Sequence, residues 1–511
     1  MKKLTLLVAV LLVLKFANAQ IAFQKLYGDS GIYSTWSTIE TYDGGYLIAG
    51  HKSGIGTVGY DIFFIKTNPL GDTMWTKTFG GVGNDYCYSI RQTSDSGFIA
   101  IGSTNSFGNG IYLVKTSING NLLWSKVFGN TGNNEGYSVE QTSDGGYIIT
   151  GEYDIGSGSL AICLIKTDNA GNLTWTNFFQ GVWGSSVQQT IDGGYVLTGV
   201  HLNDICLIKT DSLGSVSWWK TFGTTSNMKS YSVKQTTDGG YLIGGYVFNG
   251  GPRDISLIKT DASGDTLWTK TYGGTGDFIC YSMEQTTDGG YLIAGAIDTT
   301  LSFTYDVLLL KTDALGNIQW SRDYGDINYS FSHSAIQTSD GGFLLGGIYN
   351  DIMSTGNTYS YLIKTDSLGI SGCNETNVSI IPTNYVTQIN TNGNFTGPIS
   401  IPITSQTAII GGGCNVITLC TTVGIESERI NGQFEFTISP NPSLGSFSIS
   451  FEKTFVKGNV TIANILGENI FAENIFNESQ KEINLRNIRS GIYFVKVSDG
   501  EKYYCKKLII E

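Results

Sequence analysis

The chain has 511 residues, of which 14% are charged and 12% aromatic, with 67 glycines, only 7 prolines and a formal net charge of −12. Low charge with many apolar and aromatic residues excludes an intrinsically disordered chain, which needs the reverse balance. The acidic surplus opposes nucleic-acid phosphates, which proteins meet with clustered Lys and Arg, so no nucleic-acid partner is expected.

At the N-terminus, Lys2 and Lys3 precede an apolar run from Leu4 to Leu14, and Ala17-Asn18-Ala19 stands before Gln20. This is the tripartite pattern of a secretory signal, residues 1–19, with cleavage expected between Ala19 and Gln20. A membrane anchor fits less well, because the run is too short to span a bilayer and Lys15 interrupts it. No other stretch approaches transmembrane length, so no transmembrane anchor is expected.

From residue 20 onward one pattern recurs about every 50 residues: Tyr-Ser-Val-Glu-Gln-Thr, Asp-Gly-Gly-Tyr, an apolar strand, Leu-Ile-Lys-Thr-Asp, then a Trp strand ending Thr-Phe-Gly. Asp43, Asp95, Asp144, Asp192, Asp238, Asp288 and Asp340 mark its first turn, which makes seven copies. Each copy reads as four strands, a to d; in the third they fall near residues 137–142, 146–151, 161–167 and 172–179. Asp-Gly-Gly forms the a–b turn, where glycine supplies the positive φ of a tight hairpin. A slightly longer hairpin such as Asp211-Ser212-Leu213-Gly214 joins c to d. Four-stranded units at this period predict the blades of a β-propeller.

The ends of the array complement each other. Phe23-Gln24-Lys25-Leu26-Tyr27-Gly28 matches Trp75-Thr76-Lys77-Thr78-Phe79-Gly80 as a lone d strand, whereas the seventh copy passes Tyr361 to Asp366 and stops without one. A ring in which the N-terminal strand completes the last unit leaves no open edge. The expected fold is all-β, with a seven-bladed propeller over residues 20–372.

Six tryptophans, Trp75, Trp124, Trp175, Trp218, Trp268 and Trp320, share one position in strand d and are expected to pack between units rather than to bind sugars. Lys66, Lys115, Lys166, Lys209, Lys259, Lys311 and Lys364 precede the c–d turn and read as solvated or locally paired charges. The Gly-x-x-x-Trp ending resembles the tryptophan-docking repeats of pyrroloquinoline-quinone propellers. The adjacent cysteines and calcium-binding acids of that family are not found in this sequence, and its activity is not carried over.

Antiparallel order puts the a–b and c–d hairpins on one face and the b–c and d–a loops on the other. The second set varies, from His201–Asn203 to His51–Tyr60 and 348–358, and function on a repeat scaffold concentrates in such loops. The candidate binding residues on this face are Trp36, Asp85, Tyr86, Glu135, Trp183, Asp277 and Tyr305, with Asp29, Asp154, Phe278 and Asp326 beside them. Acids mixed with aromatics suit carbohydrate, or calcium, the one cofactor the loops suggest; the same acids also serve to end turns and solubilise a rim. His51, His201 and His333 fall in different copies without a recognised catalytic motif, so no enzyme is expected. The alternative is a polysaccharide-active enzyme using two carboxylates.

Among eight cysteines there is no C-x-x-C pair, and Cys163 and Cys206 lie in apolar strands. Cys373, Cys414 and Cys420 bracket a segment outside the repeats, and export allows two of them to form a disulfide. Residues 373–433 read as an extended connector rich in Thr, Asn, Ile and Gly. Residues 434–511 read as a small β-sandwich, with Phe436–Ile438, Pro440-Asn441-Pro442, Gly491-Ile492-Tyr493-Phe494-Val495-Lys496-Val497 and Lys506-Lys507-Leu508-Ile509-Ile510 as landmarks.

Those landmarks, in that order at the C-terminal end, resemble the type A C-terminal sorting domain of the Bacteroidetes type IX secretion system. The resemblance implies an Ig-like sandwich, a periplasmic intermediate, engagement of the secretion machinery, and release or display at the outer cell surface. Asp211-Ser212-Leu213 and Asp366-Ser367-Leu368 also resemble the acceptor sites of Bacteroidetes O-glycosylation. The cargo is then expected to bind a glycan or a surface protein, or to act as a surface spacer.

Overall fold

The computed structural model describes residues 20–510 except 30, 54–58, 130, 157, 224–226, 249, 300–303, 327, 352–355, 385–387, 391–394, 398–402, 406–408, 412–414, 424–435, 465–468, 486–487, 489–490 and 499–502. The signal segment with Ala19, and Cys414, lie outside the described residues. The chain forms two compact units that divide at residue 423.

The larger unit consists of seven antiparallel groups of four strands. Their a strands are Ile32–Glu40, Asp85–Gln92, Glu135–Gln141, Val182–Gln189, Asn227–Gln235, Asp277–Gln285 and Tyr329–Gln337. The d strand of the seventh group is Ile21–Gly28, paired with Thr358–Thr365 in the register Phe23 to Lys364 through Tyr27 to Ser360. Each a strand packs against the next, and the seventh against the first.

The repeated residues explain that succession. The Gln that ends strand a reaches the preceding unit and accepts a hydrogen bond from a main-chain N–H of its a–b turn: Gln92 from Tyr42, Gln141 from Ser94, Gln189 from Ser143, Gln235 from Ile191, Gln285 from Thr237 and Gln337 from Thr287. Glu40 takes the seventh position, accepting from the N–H and hydroxyl of Ser339. The d-strand tryptophans stack toward the aromatic after the next Gly-Gly, as in Trp124 with Tyr147 at 5.9 Å and Trp320 with Phe343 at 5.6 Å. Phe23 of the N-terminal strand does the same for Tyr46 at 6.1 Å. Each repeated lysine is buried at its tip and paired with the turn aspartate of its own unit, from Lys66–Asp43 to Lys364–Asp340.

The segment expected to be a connector is built into this unit. Short strands at Glu375–Asn377, Ile381–Asn384, Gln388–Asn390, Phe395–Gly397, Ile403–Ser405 and Ile409–Gly411 add a fifth strand to groups six, five, four, three, two and one in turn. Asn415–Val423 then pairs with the N-terminal strand of group seven. The starts of successive strands lie six to eight residues apart, and extended chain covers about 3.3 Å per residue, so one residue run reaches from one outer edge to the next. A disulfide between Cys373 and Cys420 joins the two ends of this belt. The cause is edge chemistry: every d strand otherwise presents an unpaired row of N–H and C=O groups.

In the C-terminal unit, Phe436–Ser439, Ser446–Asn464, Asn469–Asn484, Gly491–Ser498 and Tyr503–Ile510 are joined in one hydrogen-bonded sheet. Ser446–Asn464 is long enough to serve Phe436–Ser439 with its first part and Gly491–Ser498 with its second. Phe447, Ile449, Val460, Ile462, Val495, Val497 and Leu508 fill the core. The Pro440–Pro442 turn is fastened to the last strand: Asn441 Oδ1 accepts from the Ile509 amide at 2.8 Å, and Ser443 donates to the Ile509 carbonyl at 2.9 Å.

Candidate functional site

Every a strand carries a register shift at the same place, between Thr35 and Ser37, Cys87 and Ser89, Gly136 and Ser138, Ser230 and Ser232, Cys280 and Ser282, and Ser332 and Ser334, with a wider one between Val182 and Ser186. A bulge leaves one residue out of the ladder and re-aims its side chain. Here the extra residues are Trp36, Tyr88, Tyr137, Tyr231, Tyr281 and His333. The serine that follows anchors the shift, since Ser37, Ser138, Ser282 and Ser334 accept from Ile90, Val187, Ala335 and Thr38 of the neighbouring a strand.

The re-aimed side chains meet as a collar inside the succession of a strands. Trp36 stacks on His333 at 4.0 Å and meets Tyr88 edge-on at 5.0 Å; Tyr88 and Tyr137 are 5.2 Å apart, and Tyr281 lies 5.0 Å from both Tyr231 and His333. The fourth unit has Ser185 where the others carry a ring. Trp183 fills in, 6.3 Å from Tyr137, at a φ of +63° that a bulky residue rarely adopts. The Lys229 ammonium sits 3.6 Å above its ring.

The fourth unit also has the shortest turns on this side. Its b–c link is only Leu202 and Asn203, both at positive φ, a two-residue hairpin that stops low. Beside it opens a cavity of about 690 Å³, whose lining includes Asn203, Lys229, Tyr246, Phe248, Arg253 and Tyr305 together with the carboxylates of Asp277 and Asp298. Arg253 makes a two-pronged ion pair with Asp277, receives support from the Tyr305 hydroxyl at 2.8 Å and lies over the Tyr246 ring. Tyr305 donates to Asp277 at 2.6 Å. Against the upward push of burial, these bonds hold the Asp277 carboxyl below its ordinary range. Burial, together with the charge of Arg253, lowers Lys229.

Asp277, Tyr305 and, through Lys229, Trp183 thus converge on the cavity. Trp36 and Glu135 face inward at the collar instead of standing on rim loops; Glu135 accepts from Tyr137 at 2.7 Å and Tyr88 at 3.3 Å. Tyr86 lies against His51 at 4.8 Å and Tyr60 at 5.6 Å. Asp85 is fully buried and accepts from Thr104, Ser106 and the Gly81 amide, so it holds its own loop. Asp29, Asp154 and Asp326 accept from amides two residues on and end turns, and Phe278 is buried in the core. His51 and His333 stand in aromatic surroundings, and His201 lies against Trp219. Among the described residues no three His, Cys, Asp or Glu side chains gather as they would around a metal ion. Sequence reasoning missed Lys229, Tyr246, Phe248 and Arg253. The available signal was the conjunction of the shortest b–c turn in the fourth unit with Pro252-Arg253 in the next.

Comparison with known families matches residues 437–511 to the secretion system C-terminal sorting domain. That match indicates export through the type IX secretion system, and with it a secreted or cell-surface protein that engages the secretion machinery. No curated protein matches the chain. Similar solved structures include a fungal alcohol oxidase of the AA5 family in complex with copper, at 11% identity over 96% of this chain and 100% of that one, TM-score 0.42. Sqt1 from Chaetomium thermophilum is 10% identical over 68% and 99%, TM-score 0.40. PorZ, a surface component of the type IX secretion system of Porphyromonas gingivalis, is 9% identical over 96% and 100%, TM-score 0.17. Likenesses this distant say nothing of activity.

Proposed function

We propose that residues 20–423 are a seven-bladed β-propeller girdled by its own belt, which passes through the periplasm, is exported by its sorting domain, and binds a ligand at the cell surface or in the medium. The ligand class is a glycan or a surface protein, and no chemistry is performed on it. The observation that carries this reading is the cavity beside the short fourth unit, about 690 Å³, a size at which small-molecule and sugar sites are found. It combines aromatic walls with a few polar groups held in place by their own bonds, as binding sites do.

The test is retention of the purified protein on a panel of polysaccharides and outer-surface proteins, with released oligosaccharide scored in parallel. Gly251 lines the cavity and a Cβ built there meets nothing within 4 Å, so Gly251→Trp is the substitution chosen to obstruct the cavity, with its folding checked by melting. Retention lost in Gly251→Trp, at unchanged melting temperature, is the expected result. Release of oligosaccharide would replace this reading with the enzymatic one.

A further inference from the structure

Resting on the binding reading above, we infer that the cavity ligand is an anionic saccharide, whose acid group is held between Lys229 and Arg253 and whose ring lies against Phe248 and Tyr246.

The inference starts from which polar atoms are already committed. Asp277 is spent: it accepts from the Arg253 main chain, from two guanidinium nitrogens and from Tyr305, and is only 8% exposed. Asp298 is 2% exposed. Both carboxylates belong to the cavity wall, but the oxygens of Asp277 are already engaged in these bonds and Asp298 is almost fully buried. The cations differ. The bonds of Arg253 to Asp277 and Tyr305 use Nε and Nη2. Arg carries five donors in a rigid fork, so a guanidinium pinned on one side by a carboxylate still presents donors on the other. Lys229 has the Trp183 ring beneath it and no carboxylate partner among the described residues. Two cations therefore face one cavity and repel each other, and an anion between them turns that repulsion into attraction.

The walls supply the second half. Phe248 is 42% exposed, an unusual position for a Phe next to a charged pair, and Tyr246 is fixed by Arg253 over its ring. Flat aromatic faces beside a cationic clamp suit the apolar face of a sugar ring bearing a carboxylate or sulfate. Trp183, at its positive φ, supports the Lys229 ammonium with its ring.

The experiment is calorimetric titration of the whole protein with a galacturonate oligosaccharide, its carboxyl-reduced neutral counterpart, a sulfated counterpart and a Glu-rich hexapeptide, at two salt concentrations. Wild type is compared with Lys229→Met and Gly251→Trp, each checked by melting. Lys229→Met retains the apolar stem over Trp183 and removes only the charge. The expected result is binding of the carboxylated or sulfated sugar, weakened at high salt, at least tenfold weaker in Lys229→Met and absent in Gly251→Trp. A carboxylate-only or sulfate-only response names the acid group. Equal binding of the neutral sugar, or binding of the peptide in place of the sugars, overturns the anionic-saccharide inference while the cavity reading stands, provided Gly251→Trp abolishes it. Binding that survives Gly251→Trp, or its absence for every probe, overturns the inference; if panel retention also survives Gly251→Trp, the cavity reading falls with it.

Discussion

At the scale of single residues, the repeat motif is a set of contacts rather than a signature to be recognised. Gln ends strand a because its amide can bridge to the preceding turn; Ser follows the aromatic because a bulge needs an anchor; Lys precedes Thr because its ammonium closes on the turn aspartate. Titration follows from these positions. Against burial, hydrogen bonds from lysine, threonine and a glycine amide hold Asp144 and Asp192 down to about 2, from an ordinary 3.8. A carboxyl lowered on folding adds stability that is full above about 4 and disappears as pH falls toward about 2. Burial, with the charge of His333, holds His51 at about 4, and burial does the same to His333. A base whose folded pKa lies below its ordinary 6.5 loses stability as pH falls from 6.5 to 4, because the unfolded chain binds the proton first. In melting followed from pH 8 to 2, His51→Phe with His333→Phe is expected to remove a loss of stability between pH 6.5 and 4 relative to wild type, and the wild-type curve is expected to decline between about 4 and 2. Asp306 behaves oppositely: burial, then Asp323, Asp326 and Asp298, push it up to about 7. The folded protein then holds a proton that the unfolded chain lacks between about 4 and 7, and stability falls as pH rises through that range. Asp306→Asn is expected to raise stability by on the order of 1 kcal/mol at pH 8 and to leave it unchanged near pH 4, as read by denaturant melts.

At the scale of elements, two turn glycines separate backbone strain from packing. Gly171 in a c–d turn has φ +75°, and a Cβ there would lie 2.6 Å from the Trp124 ring of the preceding unit. Gly193 in an a–b turn has φ +80° and open space around it. Gly193→Ala is expected to cost about 1 kcal/mol, the strain alone. Gly171→Ala is expected to cost about 2–4 kcal/mol, because the ring between units must also move; chemical denaturation of the two variants measures the difference. Strand d ends in Gly for a similar reason. At Gly80, Gly223, Gly273 and Gly325 a Cβ would strike the Asp61, Asp204, Asp254 or Asp306 carboxyl on strand c. The strand positions, the turns and the Trp interlock were legible in the sequence because each depends on near neighbours within a repeat. The collar was not legible, because a bulge inserts a residue without changing composition, and the same Tyr-Ser pair reads as ordinary strand.

For the whole molecule, closure is made twice: by the N-terminal strand and by the belt. Phe23, fully buried, makes the seventh interlock, and Phe23→Ala is expected to cost about 3–5 kcal/mol, with early loss of the Phe23–Tyr46 packing in thermal melts. The disulfide spans a sequence separation of 47, and loop-entropy arguments give about 4 kcal/mol for a closure of that length. Cys373→Ser with Cys420→Ser is expected to lower stability by that order and to expose residues 375–423 to protease before the repeats are cut; limited proteolysis with and without reductant checks this.

What the amino-acid sequence determined by itself was everything written in local periodicity: export, all-β character, seven repeats, the missing strand at one end and its spare at the other, and the sorting landmarks. Tertiary structure alone decided three things. Belt residues such as Ile381 and Phe395 pair with strands more than a hundred residues away, so no local pattern marks them as strands of those sheets. Of the three candidate cysteines it brought Cys373 to Cys420. It also converted a loop that is merely short, Leu202–Asn203, into a cavity, because an absence has consequences only when taller neighbours stand around it.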